Sequence, residues 1–203
     1  MRIAFTGKLR SGKSAAAGRL VYNYGFETVS FGSALKRYAD EIFSVTEVSE
    51  YKPELITEVD PFGYTYVSTK RKPRKLYQDF GQIMRELDPD IWIRHAEKSV
   101  EMLEDFRSTR GIVIDDLRQP NEYEWCRDNG FVIIRLVAPA ETRVRRAEIA
   151  GDAFDMASLG HDTESHSDGF EVDYEIINDG TYEDLERKVD EIISKLQATA
   201  AEI

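Results

Sequence analysis

The sequence has few of the residues that bind transition metals or form covalent cross-links. It contains one cysteine, Cys126, and three histidines among 203 residues. A single cysteine excludes an internal disulfide and a zinc site built from cysteines, and three scattered histidines form no recognisable metal site. No apolar run approaches the roughly 20 residues that a membrane-spanning helix needs. We therefore expect neither a disulfide scaffold nor a membrane partner.

Positive charge is scarce and unevenly distributed. The net charge of −11 disfavours nucleic acid as a bulk partner. Residues 147–203 hold 3 Lys and Arg against 16 Asp and Glu, so we expect an acidic, solvated C-terminal region. Several of the other basic residues form short groups that suggest local sites for small anions: Lys8, Arg10 and Lys13, then residues 70–75 (KRKPRK), then Arg143, Arg145 and Arg146.

The length of the chain predicts one domain, and its first residues predict where the protein is located. A chain of 203 residues fits a single domain, or a single domain with a sizeable insertion. The opening MRIAFTG is too short for a signal peptide and runs directly into a motif, so we expect a cytoplasmic protein.

Short apolar runs alternate with helical patterns along most of the chain. Strands are predicted at residues 2–6, 27–31, 112–115, 131–137 and 174–178, with helices between them. Residues 45–75 are predicted to be irregular, because Pro53, Pro61, Gly63 and Pro73 interrupt any regular pattern. The alternation predicts an α/β fold with an open, mostly parallel sheet and helices on both faces. Ligands of such sheets bind at the carboxyl ends of the strands.

The strongest motif is a phosphate-binding loop at residues 7–14 (GKLRSGKS), which matches G-x-x-x-x-G-K-[ST]. Glycines allow the backbone to curve so that several N–H groups point at one anion, and the helix that follows adds its positive end. Lys13 is predicted to reach the β- and γ-phosphates, and Ser14 to ligate Mg²⁺. The predicted nucleotide-binding residues of this segment are Gly7, Arg10, Ser11, Gly12, Lys13, Ser14 and Ala15.

Two adjacent carboxylates, Asp115 and Asp116, end a predicted buried strand. A nucleoside triphosphatase places the carboxylate that holds Mg²⁺ or its water at this point, and the same group could orient an attacking oxygen. One of the pair could instead cap the helix that starts near Gln119. We predict that at least one of them is catalytic, with Asp115 and Ser14 as the metal ligands, and leave the choice between the two aspartates open.

Arginines follow two of the predicted strands. Arg118 comes two residues after the acidic pair and is predicted to bind a substrate phosphate, with a surface ion pair to Glu122 as the alternative. Arg143 and Arg146 share a helical face, where like charges repel unless an anion lies between them. We therefore predict that they stabilise a phosphoryl group in transfer, and that Arg145 is solvated.

The basic run at residues 70–75 has no interleaved aromatic residues. In an acidic chain it is predicted to be a solvated loop or a rim that attracts phosphate, and not a nucleic-acid site.

With these motifs considered together, the sequence resembles the phage-type deoxynucleoside monophosphate kinases, a branch of the P-loop nucleoside monophosphate kinase group. The resemblance covers nearly the whole chain and is carried by residues 7–14, 31–43, 74–93, 112–125 and 177–185. It implies the three-layer P-loop fold, with five mostly parallel strands, a helical monophosphate-binding insertion and a lid. The implied bounds are a core at 1–31, 108–140 and 171–203, an insertion at about 32–107 and a lid at about 141–170.

The resemblance also implies an activity. ATP, with Mg²⁺, would donate its γ-phosphoryl to a deoxynucleoside 5′-monophosphate, so the partners would be small-molecule nucleotides. The acceptor would lie against Ser33, Lys36, Gln78, Asp79, Arg85 and Arg118, and the adenine of ATP against the loop with Asn178 and Gly180. Kinases of phosphomevalonate or dephospho-CoA have similar layouts and stay as alternatives, and a nucleotide-switch ATPase is the alternative of another class. The oligomeric state stays open between a monomer and a homodimer.

Overall fold

The computed structural model describes residues 1–52, 54–59, 65–71, 73–105, 109–149 and 166–201. Within these ranges no helix combines the length and the apolar character needed to cross a membrane. In chain order the elements are β1 (Arg2–Thr6), α1 (Lys13–Tyr24), β2 (Phe26–Val29), α2 (Phe31–Phe43), β3 (Glu54–Val59), β4 (Thr65–Arg71), α3 (Arg74–Leu87), α4 (Ile91–Asp105), β5 (Gly111–Leu117), α5 (Pro120–Asp128), β6 (Val132–Val137), α6 (Ala140–Ile149), a 3₁₀-helix (His166–Gly169), β7 (Tyr174–Ile177) and α7 (Tyr182–Ala201).

The chain divides into two compact units, residues 1–31 with 96–203 and residues 32–95. The first unit contains a five-stranded sheet in the order β2-β5-β1-β6-β7, with every neighbouring pair parallel. This confirms the predicted parallel sheet. Because β1 is the central strand, the loop that follows it begins between the carboxyl ends of β5 and β6.

The sheet is buried on both faces. On one face, Ile3 and Phe5 of β1 belong to a core cluster that includes Leu20 of α1 and Leu185 and Ile193 of α7. The residues that alternate with these along the strands, such as Ala4, Ile112, Ile114 and Ile133, are also buried. Successive side chains of a strand point to opposite faces, so both faces are covered, which agrees with the predicted helices on both faces of the sheet.

The acidic C-terminal region is not simply solvated. Several of its carboxylates pair with basic residues from the earlier part of the chain, which corrects the expectation from charge alone. These pairs are Arg19–Asp190 (2.7 Å), Arg127–Asp173 (2.7 Å), Lys8–Asp168 (2.8 Å) and Arg135–Glu175 (3.5 Å).

The second unit contains a β-hairpin and an aromatic cluster. Strands β3 and β4 pair antiparallel, so the prediction of an irregular segment over 45–75 is wrong for Glu54–Val59 and Thr65–Arg71. Both strands are rich in β-branched residues, and Pro73 lies outside them. Pro53, Pro61 and Gly63 lie outside the described residues. The cluster of this unit is built on Ala34, Leu35 and Trp92, with Tyr38, Tyr77, Phe80, Met84 and Ile91 packed against it.

Some predictions fall on parts of the chain that lie outside the described residues. These include residues 150–165 of the predicted lid, Lys72 of the basic run, residues 53 and 60–64 of the segment predicted to be irregular, and residues 106–107 of the predicted insertion.

We predict that Asp190→Asn lowers the melting temperature at pH 7 by about 2–4 °C. Asp190 accepts two hydrogen bonds from Arg19 and one from the Tyr24 hydroxyl, and the Arg19 guanidinium lowers the pKa of this carboxyl. A lowered pKa in the folded state contributes stability above the unfolded pKa of about 4, which is lost as the pH falls through the folded pKa. The difference between the two proteins should therefore shrink below about pH 4 in thermal melts followed by circular dichroism.

Glu191→Gln is the matched control, because it removes a neighbouring carboxylate whose ion pair with Arg187 is more than half exposed. Equal melting temperatures for Asp190→Asn and Glu191→Gln would contradict the assigned role of Asp190.

Candidate active site

The loop between β1 and α1 is tightly curved. Gly7 and Gly12 have φ angles of 132° and 107°, and Arg10 has a φ of 63°. A Cβ atom at position 7 would collide with the Leu136 carbonyl oxygen, and one at position 12 with the Asn178 side-chain amide. Both glycines of the motif are therefore required by backbone angle and by space.

Side chains bind the carbonyl groups along this loop. Lys13 is buried, and its Nζ donates to the carbonyl oxygens of Gly7 (2.5 Å) and Lys8 (3.0 Å). The next three carbonyl oxygens accept from three further side chains, with donor–acceptor distances of 3.4, 3.3 and 2.8 Å: Leu9 from Arg143, Arg10 from Arg146, and Ser11 from Asn178. Side chains therefore bind five consecutive carbonyls, and the Lys8 carbonyl also accepts the Ser11 N–H at 3.1 Å. The glycine-rich turn and the start of α1 form the kind of backbone that binds an anion.

The two aspartates at the end of β5 have different surroundings. Asp115 Oδ2 accepts a hydrogen bond from the Ser14 hydroxyl at 2.7 Å. Asp116 accepts from the Ser30 hydroxyl at 2.6 Å and from the Phe31 N–H at 3.0 Å. Adjacent residues on a strand point to opposite faces. One carboxylate therefore faces the phosphate loop, and the other caps the start of α2 and not the helix near Gln119.

Arg118 follows β5 and is half-buried. Its guanidinium makes no hydrogen bond or ion pair with any residue of the described ranges. The alternative of an ion pair with Glu122 is wrong, because the buried Glu122 carboxylate accepts the N–H groups of Arg118 (3.0 Å) and Gln119 (2.9 Å) instead. This contact orients the backbone from which the Arg118 side chain projects.

Two arginines of α6, Arg143 and Arg146, contact the phosphate loop, and the protein buries both of them at least in part. Arg143 is 8% exposed, and Arg146 also donates to the Asn178 side-chain oxygen at 3.2 Å. Burial lowers the pKa of Arg146, and the positive charge of Arg145 adds to this effect. Arg145 itself is exposed, as predicted.

Two buried polar atoms of this region have no hydrogen-bond partner among the described residues: Ser11 Oγ and Arg143 Nε. Leaving a buried polar group unpaired costs about 1–3 kcal/mol. An anion held by the loop would supply acceptors for both groups, so the residues present fit a phosphate-bearing ligand. Ser14 and Asp115 offer two oxygen atoms of the kind that Mg²⁺ prefers.

Other predicted nucleotide-binding residues have varied surroundings. Asn178 is 3% exposed, and both polar atoms of its side chain are engaged by the protein. Gly180 is exposed, and a Cβ atom there would meet the Asp184 carboxylate. Ala15 packs its side chain against the core cluster, so only its backbone is available to a ligand.

The predicted acceptor residues other than Arg118 belong to the second unit. Ser33 and Lys36 are exposed on α2, and Gln78 is exposed on α3. Asp79 accepts from the Tyr51 hydroxyl (2.7 Å) and from Lys75, and the Lys75 bond is the main cause of its lowered pKa. Arg85 is half-buried beside Gly81. Their role in binding an acceptor stays a prediction.

Sequence reasoning missed three supporting features. The capping box of Gln119 and Glu122, with Pro120 at the first helical position, has a readable signal in its spacing. Ser30 has none, since its partner Asp116 is 86 residues away. Arg135 likewise has none, because its Nη2 donates to the backbone carbonyls of Ser167, Asp168 and Phe170.

The sheet order, the loop after β1 and the acidic pair at the end of β5 define a P-loop protein. A sequence profile of the AAA domain family matches residues 3–154, well over half of the chain, and the chain belongs to this family. No curated protein matches the sequence.

Solved structures with this fold cover nearly the whole chain. TT1252 from Thermus thermophilus is 22% identical with a TM-score of 0.55, and the match covers 97% of each chain. Dephospho-CoA kinase from Campylobacter jejuni is 15% identical with a TM-score of 0.53, covering 98% of this chain and 100% of that one. A sugar kinase from a Janibacter species is 16% identical with a TM-score of 0.53, covering 92% and 90%. At these identities the likeness establishes the fold.

We predict that Gly12→Ala lowers the melting temperature more than Gly130→Ala does. Both glycines have positive φ angles, 107° and 69°, so both substitutions introduce strain of about 1 kcal/mol or more. Only at position 12 would the added methyl group also collide with Asn178, since position 130 has open space. Differential scanning calorimetry measures both melting temperatures. An equal decrease for the two variants would contradict the prediction, because it would show that the contact with Asn178 adds nothing to the strain at position 12.

Proposed function

We propose that this protein is a kinase that transfers the γ-phosphoryl group of ATP to a deoxynucleoside 5′-monophosphate, giving ADP and a deoxynucleoside diphosphate. The observation that carries this proposal is the phosphate loop itself. Its carbonyls are bound by Lys13, Arg143 and Arg146, and Ser14 faces Asp115 at the start of α1. Two of the solved structures with this fold are described as kinases, which supports phosphoryl transfer as the reaction class.

The loop provides the donor site. Positively charged side chains that are held in place before a ligand arrives need little reorganisation when charge develops on the transferring group. Lys13 and Arg143 meet this condition, since each is less than a tenth exposed. Arg146 keeps its charge at neutral pH despite its lowered pKa, because a guanidinium starts above about 12. These three cations would bind the phosphates of ATP.

Ser14 and Asp115 would hold Mg²⁺ through the two oxygen atoms that lie 2.7 Å apart. When bound, the metal neutralises phosphate charge. Asp116 is assigned a structural role, since its carboxylate is engaged by Ser30 and Phe31.

The acceptor supplies its own nucleophile. An oxygen of its 5′-phosphate forms a new bond to the γ-phosphorus, the bond from that phosphorus to the bridging oxygen breaks, and ADP departs. A phosphate is already ionised near neutral pH, so the protein needs neither a covalent intermediate nor a strong general base, and positioning is the main requirement. Arg118 would bind the acceptor phosphate through its guanidinium, which pairs with none of the described residues, in a bidentate contact.

The choice of a deoxynucleoside monophosphate rests on the resemblance of residues 31–43 and 74–93 to that kinase group. In the second unit these residues form α2, α3 and the start of α4. Tyr77 and Phe80 pack against the aromatic cluster of this unit, which offers ring faces of the kind on which a base can stack.

The proposal predicts ADP release that depends on the acceptor. The protein is incubated with ATP, Mg²⁺ and one of dAMP, dGMP, dCMP, dTMP, phosphomevalonate or dephospho-CoA, and ADP is followed by a coupled assay. At least one deoxynucleotide should give fast turnover, and Lys13→Ala should reduce it by about 100-fold or more without unfolding the protein. Lys195→Ala, an exposed lysine on α7, is the control. Equal ADP release with and without acceptors would refute the proposal. Turnover with dephospho-CoA alone would refute the deoxynucleoside monophosphate as the acceptor and identify dephospho-CoA in its place.

Asp115→Asn and Asp116→Asn should fail in different ways. Asp115→Asn removes a metal ligand and should lower kcat by about 100-fold or more, with the melting temperature close to that of the wild type. Asp116→Asn weakens the hydrogen bonds to Ser30 and Phe31 and should lower the melting temperature first. Measurements of kcat and of the melting temperature on both variants separate these effects. If Asp116→Asn lowers kcat and Asp115→Asn lowers the melting temperature, Asp116 is the metal ligand and Asp115 the structural residue.

A further inference from the structure

Asn178 lies directly after β7, between two elements that carry proposed ATP-binding residues. Its N–H donates to the Val137 carbonyl at 2.7 Å, which extends the pairing of β6 with β7 by one residue. The residue is 3% exposed. The sheet therefore fixes the position of the Asn178 backbone, from which the side chain extends.

One polar atom of the side chain binds the phosphate loop. Asn178 Nδ2 donates to the Ser11 carbonyl oxygen at 2.8 Å in a buried bond. The amide reaches this carbonyl only because position 12 has no side chain, since a Cβ atom there would collide with Nδ2. Gly12 and Asn178 are thus complementary in shape.

The other polar atom of the side chain, Oδ1, binds Arg146 of helix α6. Asn178 Oδ1 accepts from Arg146 Nη2 at 3.2 Å, and its backbone carbonyl lies 3.5 Å from the same nitrogen. Arg146 Nη1 in turn donates to the Arg10 carbonyl at 3.3 Å. A closed ring of contacts therefore joins the loop, Asn178 and Arg146.

An amide is the side chain that this position requires. A carbonyl oxygen can only accept and a guanidinium can only donate, so the group between them must donate to one and accept from the other. This requirement also fixes the orientation of the amide, with its nitrogen toward Ser11. A carboxylate keeps the acceptor and loses the donor, and an alanine loses both.

We propose that Asn178 is a positioning residue that couples the phosphate loop to Arg146, so that the loop conformation and the arginine that contacts the donor phosphates are set together. The role in ATP binding rests on the proposed function, whereas the coupling itself belongs to the protein without ligand.

The test compares Asn178→Asp and Asn178→Ala with Asn129→Asp. Asn129 is the matched control, because its Nδ2 also donates to a backbone carbonyl, that of Trp125 at 2.9 Å, at the opposite end of β6. Two measurements are made on each protein: amide hydrogen exchange of residues 7–14 without ligand, and ATP affinity with kcat in the acceptor assay.

Loss of one hydrogen bond to the loop should speed exchange of residues 7–14 by about tenfold in Asn178→Asp, and weaken ATP binding by about tenfold, with kcat changed less than threefold. Asn178→Ala also releases Arg146, so its kcat should fall by about tenfold in addition. Asn129→Asp should leave the exchange of residues 7–14 unchanged.

Wild-type exchange of residues 7–14 in Asn178→Asp, or the same acceleration in Asn129→Asp, would overturn the coupling while leaving the kinase proposal in place. Faster loop exchange in a protein that binds no ATP would support the coupling and refute the proposed function instead.

Discussion

The structure of the site depends on how the carbonyl groups of residues 7–11 are satisfied. A carbonyl group that is taken out of water needs a donor within the protein. Lys13, Arg143, Arg146 and Asn178 supply these donors. Three of them are cations, so the same side chains that hold the loop also place positive charge around it.

This arrangement explains why residues from distant parts of the sequence serve one site. The central position of β1 puts the ends of β5 and β6 on either side of the loop. Asp115 and Arg118 follow from β5, and α6 with its arginines follows from β6. The pairing of β6 with β7 then brings Asn178 to the same edge. Sheet order and short connections are sufficient to bring these residues together around the phosphate loop.

Charge serves the fold as well as the site. The first 146 residues hold nearly equal numbers of acidic and basic residues, and the acidity is concentrated in the last 57. Several of these late carboxylates bind arginines and lysines of the first unit. The Arg19–Asp190 contact joins α1 to α7 directly beside the core cluster. One of these pairs, Lys8–Asp168, brings a carboxylate of the acidic region to the phosphate loop itself.

The sequence by itself determined the parallel sheet and the phosphate loop, because each has a local signature in periodicity or spacing. It also pointed to Arg143 and Arg146, which the structure places against that loop. The sequence did not predict the hairpin of β3 and β4, because the prolines and glycine around these two short strands suggest one continuous irregular segment. Only the tertiary structure showed how the surroundings of Asp115 and Asp116 differ, because neighbouring side chains leave a strand in opposite directions, here toward Ser14 and Ser30. It also decided the contacts of Asn178, because its partner Ser11 is 167 residues away and no local pattern encodes a hydrogen bond across that separation.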